Sequence, residues 1–285
     1  MGKNARCFSQ DLMKKEHIVG GGMTRRDADK NSNLNNAPKK PEWATGTGTE
    51  NMAAGTSIFD PVLCELAYRW FSPPGGSVID PFAGGSVRGV VASLLGLQYT
   101  GIDLSARQIE ANREQAAEIC EDNLPIWIVG DSIQANTLAP GDYDLIFSCP
   151  PYADLEVYSD DPKDLSTMPY ADFLKAYREI IAACVSMLND NRFACFVVGD
   201  IRDKKGFYRN FPADTIAAFQ DAGATLYNEV VLITAVGSLP IRAGRAFVAG
   251  RKLGKTHQNV LVFYKGDPKK IKGTFPEIEI DESLF

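Results

Sequence analysis

Short apolar runs alternate with amphipathic stretches through the middle of the chain. Strand-like runs at 77–79, 99–102, 126–129, 145–147 and 193–198 are separated by helix-period segments at 87–95, 106–120, 171–188 and 213–222. A further helix is expected at 59–71, with Ser57 or Asp60 as its N-cap and Pro61 in its first turn, and Ser72-Pro-Pro-Gly-Gly76 ends it. Strands spaced by helices of this length predict a doubly wound, mostly parallel α/β sheet. The last two runs, 225–234 and 259–264, show no helix between them, so they are expected to be an antiparallel pair at one edge. Residues 237–258 then form the excursion that joins them.

With 45% hydrophobic and 23% charged residues in 285, the chain can bury one full core, and the domain is read as 53–267. Residues 1–52, rich in Gly, Asn, Lys and Asp, are expected to be a flexible tail, and 268–285 a polar, finally acidic one. A net charge of -6 excludes binding to a polyanion by bulk attraction, so such contact needs a local basic surface. The excursion 237–258 supplies one: Arg242, Arg245, Arg251, Lys252, Lys255 and His257 with no acidic residue among them. Six cysteines without a C-x-x-C pair, beside only two histidines, argue against a metal site and for reduced thiols. No leader-like apolar core and no run near the ~20 residues that span a bilayer is present, so a cytoplasmic protein without a membrane partner is expected.

Chemistry concentrates where strands end. Val78-Ile-Asp-Pro-Phe-Ala-Gly-Gly-Ser86 runs from a strand through a glycine turn into a helix, so Gly84 and Gly85 let backbone approach a ligand. The second strand ends at Asp103 and Leu104, and a carboxylate there can accept both hydroxyls of a ribose. After the third, Asp131 and Ser132 stand where a carboxylate can accept from an adenine amino group. The fourth strand runs into Ser148-Cys-Pro-Pro-Tyr152, where two prolines stop the ladder and present a ring that can stack on a flat ligand.

Asp80-Pro-Phe-Ala-Gly-Gly85 and Cys149-Pro-Pro-Tyr152 together resemble the motifs of the S-adenosylmethionine-dependent DNA amino-methyltransferases, whose base motif is Asp, Asn or Ser followed by Pro-Pro-Tyr. The resemblance covers about 56–265 and implies a Rossmann-like methyltransferase sheet with S-adenosylmethionine as cofactor. It also implies that Asp80, Phe82, Gly84 and Gly85 contact the amino-acid part, Asp103 and Leu104 the ribose, and Asp131 and Ser132 the adenine. Ser57, Ile58 and Phe59 would close the cofactor pocket. Cys149, Pro150, Pro151 and Tyr152 would form the pocket for a base flipped out of double-stranded DNA, in a small, orphan or phage-type enzyme without a separate recognition domain.

Cys149 departs from that pattern, since a thiol is a weak hydrogen-bond acceptor. In one reading, backbone carbonyls and Ser148 hold the amino group, and the product is N4-methylcytosine or N6-methyladenine. In a second, Cys149 adds to C6 of cytosine so that C5 takes the methyl group, with Glu156 or Asp200 as the acid near N3. In a third, catalysis has been lost and a DNA-binding module remains. RNA is the alternative substrate. The acidic segment 153–168 is either a lid or a solvated connection.

Overall fold

The alternating runs become one seven-stranded sheet in the computed structural model, which describes residues 59–153, 158–234 and 239–278. In chain order the elements are α1 (Pro61–Phe71), β1 (Ser77–Asp80), α2 (Val87–Leu94), β2 (Gln98–Asp103), α3 (Ala106–Ile119), β3 (Ile126–Val129), α4 (Ala135–Leu138) and β4 (Tyr143–Ser148). Then come α5 (Tyr170–Met187), β5 (Leu188–Val198), α6 (Phe211–Asp221), β6 (Thr225–Ile233), α7 (Leu239–Gly250), β7 (His257–Lys265) and α8 (Ile271–Thr274). The strand order is β3-β2-β1-β4-β5-β7-β6, parallel except for β7, which runs antiparallel to both neighbours. The α/β class and the antiparallel pair expected from sequence are therefore both present.

The central strands read as continuous apolar runs because both of their faces are covered. Ile79, Ile146 and Phe196 face the layer of α5 and α6, among Phe173, Tyr177, Phe211 and Phe219. Their chain neighbours Val78, Leu145, Phe147 and Cys195 face the opposite layer, with Tyr68 of α1, Val90 and Val91 of α2 and Ile109 of α3. Helix α1 starts where its sequence says it should: Asp60 Oδ1 accepts from the Val62 N–H at 2.8 Å, and Pro61 fills the first helical position. Strand order reverses between β1 and β4, which opens a crevice beyond their carboxyl ends.

Two expectations need correction. The excursion contains a helix, α7. Pro240 disguises it in the sequence, yet it sits in the first turn, where its missing N–H is not needed, and Gly244 has open space around it. The last two strands do form the expected antiparallel pair at one edge, with β7 next to β5 and β6 outermost. Burial explains this, since Val260, Leu261, Val262 and Phe263 of β7 are enclosed on both faces whereas β6 is largely exposed. Finally, part of the stretch read as a C-terminal tail is packed, with the Phe275 ring 5.0 Å from that of Phe193. The N-terminal tail 1–52 lies outside the described residues. Among those described, no helix is long and apolar enough to cross a membrane.

Gly89 of α2 faces two rings: a Cβ there would lie 2.6 Å from Trp127 Cζ2 and 3.1 Å from the Tyr99 ring, both buried. Overpacking of about 1–3 kcal/mol outweighs the ~1 kcal/mol of helix propensity that alanine adds. Gly89→Ala is expected to lower the midpoint of denaturant unfolding with an unchanged slope.

Candidate active site

A cavity of about 1200 Å³ lies at the carboxyl edge of the sheet. The turn after β1, Asp103 and Leu104 after β2, and Asp131 and Ser132 after β3 form one side. Residues 149–152 after β4, with Leu232, Ile233 and Thr234 at the end of β6 and Gln258 at the start of β7, form the other. Phe59 closes it from the α1 side. Its size exceeds the ~300–1,000 Å³ of an ordinary small-molecule site, so it has room for two ligands side by side.

Beneath it lies a buried ion pair that sequence reading did not anticipate. Asp80 Oδ2 accepts from Arg88 Nε at 2.6 Å and from the Tyr99 hydroxyl at 2.7 Å, and Oδ1 accepts from Ser148 Oγ at 2.5 Å and the Phe82 N–H at 3.1 Å. Asp80 is fully enclosed and does not line the cavity. Its expected direct contact with a ligand is therefore corrected: the carboxylate is used up holding Arg88, which does line the cavity. Burial works against the Arg88 charge, but Asp80 foremost, then Tyr99 and Cys149, more than offset it, and its pKa is pushed up. Ser148 is corrected for the same reason. The residue is fully buried and does not line the cavity, so it is not a holder of a substrate amino group.

The glycine turn is built for close approach at one position. Gly84 has φ +50°, its N–H donates to Asp103 Oδ2 at 2.9 Å, and its carbonyl accepts from Asn112 Nδ2 at 2.7 Å. Ser86, which stands where the resembling family has a second glycine, has an ordinary right-handed helical conformation and donates to Gln115 Oε1 at 2.6 Å. Serine is accommodated there without strain. Asp103 also accepts from the Ser105 N–H at 2.8 Å. Burial pushes its pKa up, opposed by the Ser105 and Gly84 N–H groups. Asp131 caps the following turn through the Ile133 N–H at 3.0 Å, and Ser132 Oγ donates to the Pro81 carbonyl at 2.5 Å, tying the β1 and β3 loops together.

On the β4 side, Cys149, Pro150, Pro151 and Tyr152 all line the cavity. Tyr152 is buried, edge-on to Phe211 with ring centroids 6.2 Å apart, and its hydroxyl accepts from Gln258 Nε2. Burial, and then neighbouring Cys149, pushes the Tyr152 pKa well up, so the hydroxyl keeps its proton. None of the five described cysteines forms a disulfide, and burial raises the pKa of the Cys64, Cys184 and Cys195 thiols. Among them only Cys149 reaches the cavity. Asp200, expected as an acid near the ring, is not in the lining; its carboxylate pairs with Lys255 Nζ. Ser57, Ile58 and Glu156 lie outside the described residues. From the described part of the acidic segment, Tyr158, Ser159, Asp161, Lys163 and Asp164 line the cavity.

No family model matches the chain, and no curated protein matches it. Solved structures do. Geranyl diphosphate methyltransferase in complex with GPP and sinefungin aligns with a TM-score of 0.50 at 14% identity, over 72% of this chain and 78% of that one. A methyltransferase from Pyrococcus furiosus gives 0.49 at 13% identity, over 74% and 85%. TrmN from Thermus thermophilus gives 0.48 at 17% identity, over 73% of this chain, which spans about half the length of that protein. At these identities the likeness is one of fold.

The basic excursion divides between structure and surface. Arg245 is exposed on α7, and Arg251, with φ +52°, has its guanidinium 5.0 Å from the Phe247 ring centroid. Lys252 is exposed and lies against Gly206, whereas Lys255 is half-buried and paired with Asp200. His257 begins β7, in register with Ile233. Arg242 belongs to α7, and its side chain lies outside what is described. Sequence reading missed Arg88 and Gln258. An arginine amid the apolar residues of a short helix, eight positions after a motif aspartate, was the available signal for the first; Gln258 carried none.

Removing Asp80 leaves the Arg88 charge buried without its counter-ion, a change that costs about 3–5 kcal/mol in such pairs. Asp80→Ala is expected to lose that much unfolding free energy, measured by urea titration.

Proposed function

We propose that the protein transfers a methyl group from S-adenosylmethionine to a base of double-stranded DNA flipped into this cavity. Cytosine is favoured, and the acceptor is the exocyclic amino nitrogen, giving N4-methylcytosine or N6-methyladenine. One observation carries the reading: the glycine turn, Asp103 and Asp131 follow three successive strands and open into the same cavity as Cys149-Pro-Pro-Tyr152. The residues present fit the cofactor. A Cβ on Gly84 would meet nothing nearer than the Phe82 carbonyl oxygen at 3.9 Å, Asp103 is a part-exposed carboxylate suited to ribose hydroxyls, and Asp131 lines the same wall. Bound S-adenosylmethionine supplies an electrophilic methyl group on a sulfonium.

The chain's own contribution is positioning and acceptance of hydrogen bonds. With Ser148 buried out of reach of the cavity, the backbone carbonyls after β4 hold the amino hydrogens of the base. Pro150 and Pro151 carry no N–H to compete for those acceptors. Tyr152, locked by Gln258 and Phe211, forms a fixed wall against which the base rests. DNA approaches along the α7 side, where Arg245 and Arg251 are exposed and Ile233 and Thr234 reach both the surface and the cavity.

A second reading, methylation at C5 with Cys149 as nucleophile, draws support from the Arg88 guanidinium, which interacts electrostatically with Cys149. It loses Asp200 as its acid, which leaves Glu156 as its remaining acid candidate.

Mass spectrometry of nucleosides from a methylation-deficient host expressing the protein decides the matter. N4-Methylcytosine or N6-methyladenine that persists with Cys149→Ser is expected. 5-Methylcytosine that disappears with that variant establishes the second reading. Modified nucleosides confined to RNA move the substrate to RNA, and failure to bind S-adenosylmethionine favours a non-catalytic DNA-binding module.

Cofactor affinity is also expected to depend on pH. Ionised Asp103 accepts from the ribose, and because its pKa is raised, affinity falls on acidification starting above the ~3.9 of an ordinary aspartate. Asp103→Asn should remove that dependence in calorimetric titrations and weaken binding about 10- to 100-fold, the worth of hydrogen bonds to a charged acceptor.

A further inference from the structure

We propose that Arg88 recognises the carboxylate of the cofactor's amino-acid end, with Asp80 as its positioning partner. The inference rests on the cofactor reading above and deepens it. A guanidinium has five donors. Nε donates to Asp80, and Nη2 donates to the Phe82 carbonyl at 2.6 Å and the Ala83 carbonyl at 3.0 Å, which uses three. Among the described residues, no hydrogen bond is made by Nη1, so two donors remain. The side chain is only 6% exposed, yet the residue lines the cavity, and the Phe59 ring covers its face at 4.6 Å.

Charge points the same way. Asp80 also accepts from Tyr99, Ser148 and the Phe82 N–H, so its charge is shared among four donors and does not cancel that of Arg88. The other cations on the cavity wall, Arg107 and Lys163, are exposed, whereas carboxylates are plentiful: Asp60, Asp103, Asp131, Asp161 and Asp164. A wall so acidic repels a ligand carboxylate everywhere except beside a buried cation. With the nucleoside end at Asp103 and Asp131, the amino-acid end extends across the β1 turn towards Arg88. The rigid fork of arginine suits a carboxylate there better than a lysine would.

The test is calorimetric binding of S-adenosylmethionine and of its decarboxylated analogue, which keeps the amine, sulfonium and nucleoside. The analogue carries one more net positive charge, so the acidic wall alone would favour it. Wild-type protein is expected to bind the intact cofactor at least about tenfold more tightly, the scale of a charge-assisted hydrogen bond. In Arg88→Gln that preference collapses to about one, with affinity for the analogue little changed, and Arg88→Lys recovers part of it. Equal affinities in wild type overturn the proposal without any variant, which matters if Arg88→Gln fails to fold. Parallel loss of both ligands in a folded Arg88→Gln also overturns it, because a purely structural role predicts that result. Failure of wild type to bind either ligand overturns the cofactor reading itself, and this inference with it.

Discussion

The Asp80–Arg88 ion pair is the constraint on which the rest of the site depends. Asp80 ends β1, Arg88 sits in α2, Tyr99 comes from β2 and Ser148 from β4, and all four meet at one carboxylate. A charge pair taken out of water is tolerated only when each remaining polar atom finds a partner. Here that demand joins three adjacent strands and a helix at the point where strand order reverses. The glycine turn is held from below by the same group, because the Arg88 guanidinium grips the Phe82 and Ala83 carbonyls. The backbone that approaches a ligand is therefore anchored by side chains that the ligand never displaces.

The cavity divides its chemistry between its two walls. The wall formed by β1, β2 and β3 carries ordered carboxylates and exposed backbone, suited to a polar nucleoside. The wall formed by β4, β6 and β7 carries two prolines, a locked tyrosine and apolar residues, suited to a flat ring. Arg88 from the first wall and Cys149 from the second both line the cavity between them. A transferable group held by the first wall and an acceptor held by the second would face each other there.

Much of this was legible in the sequence, for reasons that also explain what was not. Apolar runs such as 145–147 mark central strands because burial on both faces leaves no polar alternation to confuse the reading. Asp103 and Asp131 were recognisable because strand ends place their residues at the ligand edge whatever the loops do. Asp80 was recognisable as a motif residue, but its role was not. Whether a carboxylate faces a ligand or a buried arginine depends on Arg88 and Ser148, eight and 68 positions away. Lys255 and Asp200 looked like a phosphate contact and an acid until tertiary folding paired them, 55 residues apart. Helix α7 was hidden by a proline and two glycines whose positions make them harmless.

The insertion of β7 between β5 and β6 has a consequence for how the molecule comes into being. β7 follows every other strand in the chain, yet it occupies an interior place in the sheet. Until it arrives, β5 and β6 have no ladder to share, and Tyr152 lacks the Gln258 amide that fixes its hydroxyl. During synthesis the residues of the nucleoside-type wall are made before β7 is. The site is thus completed by its last strand: the wall that carries Tyr152 gains the Gln258 contact only when β7 fills the place between β5 and β6.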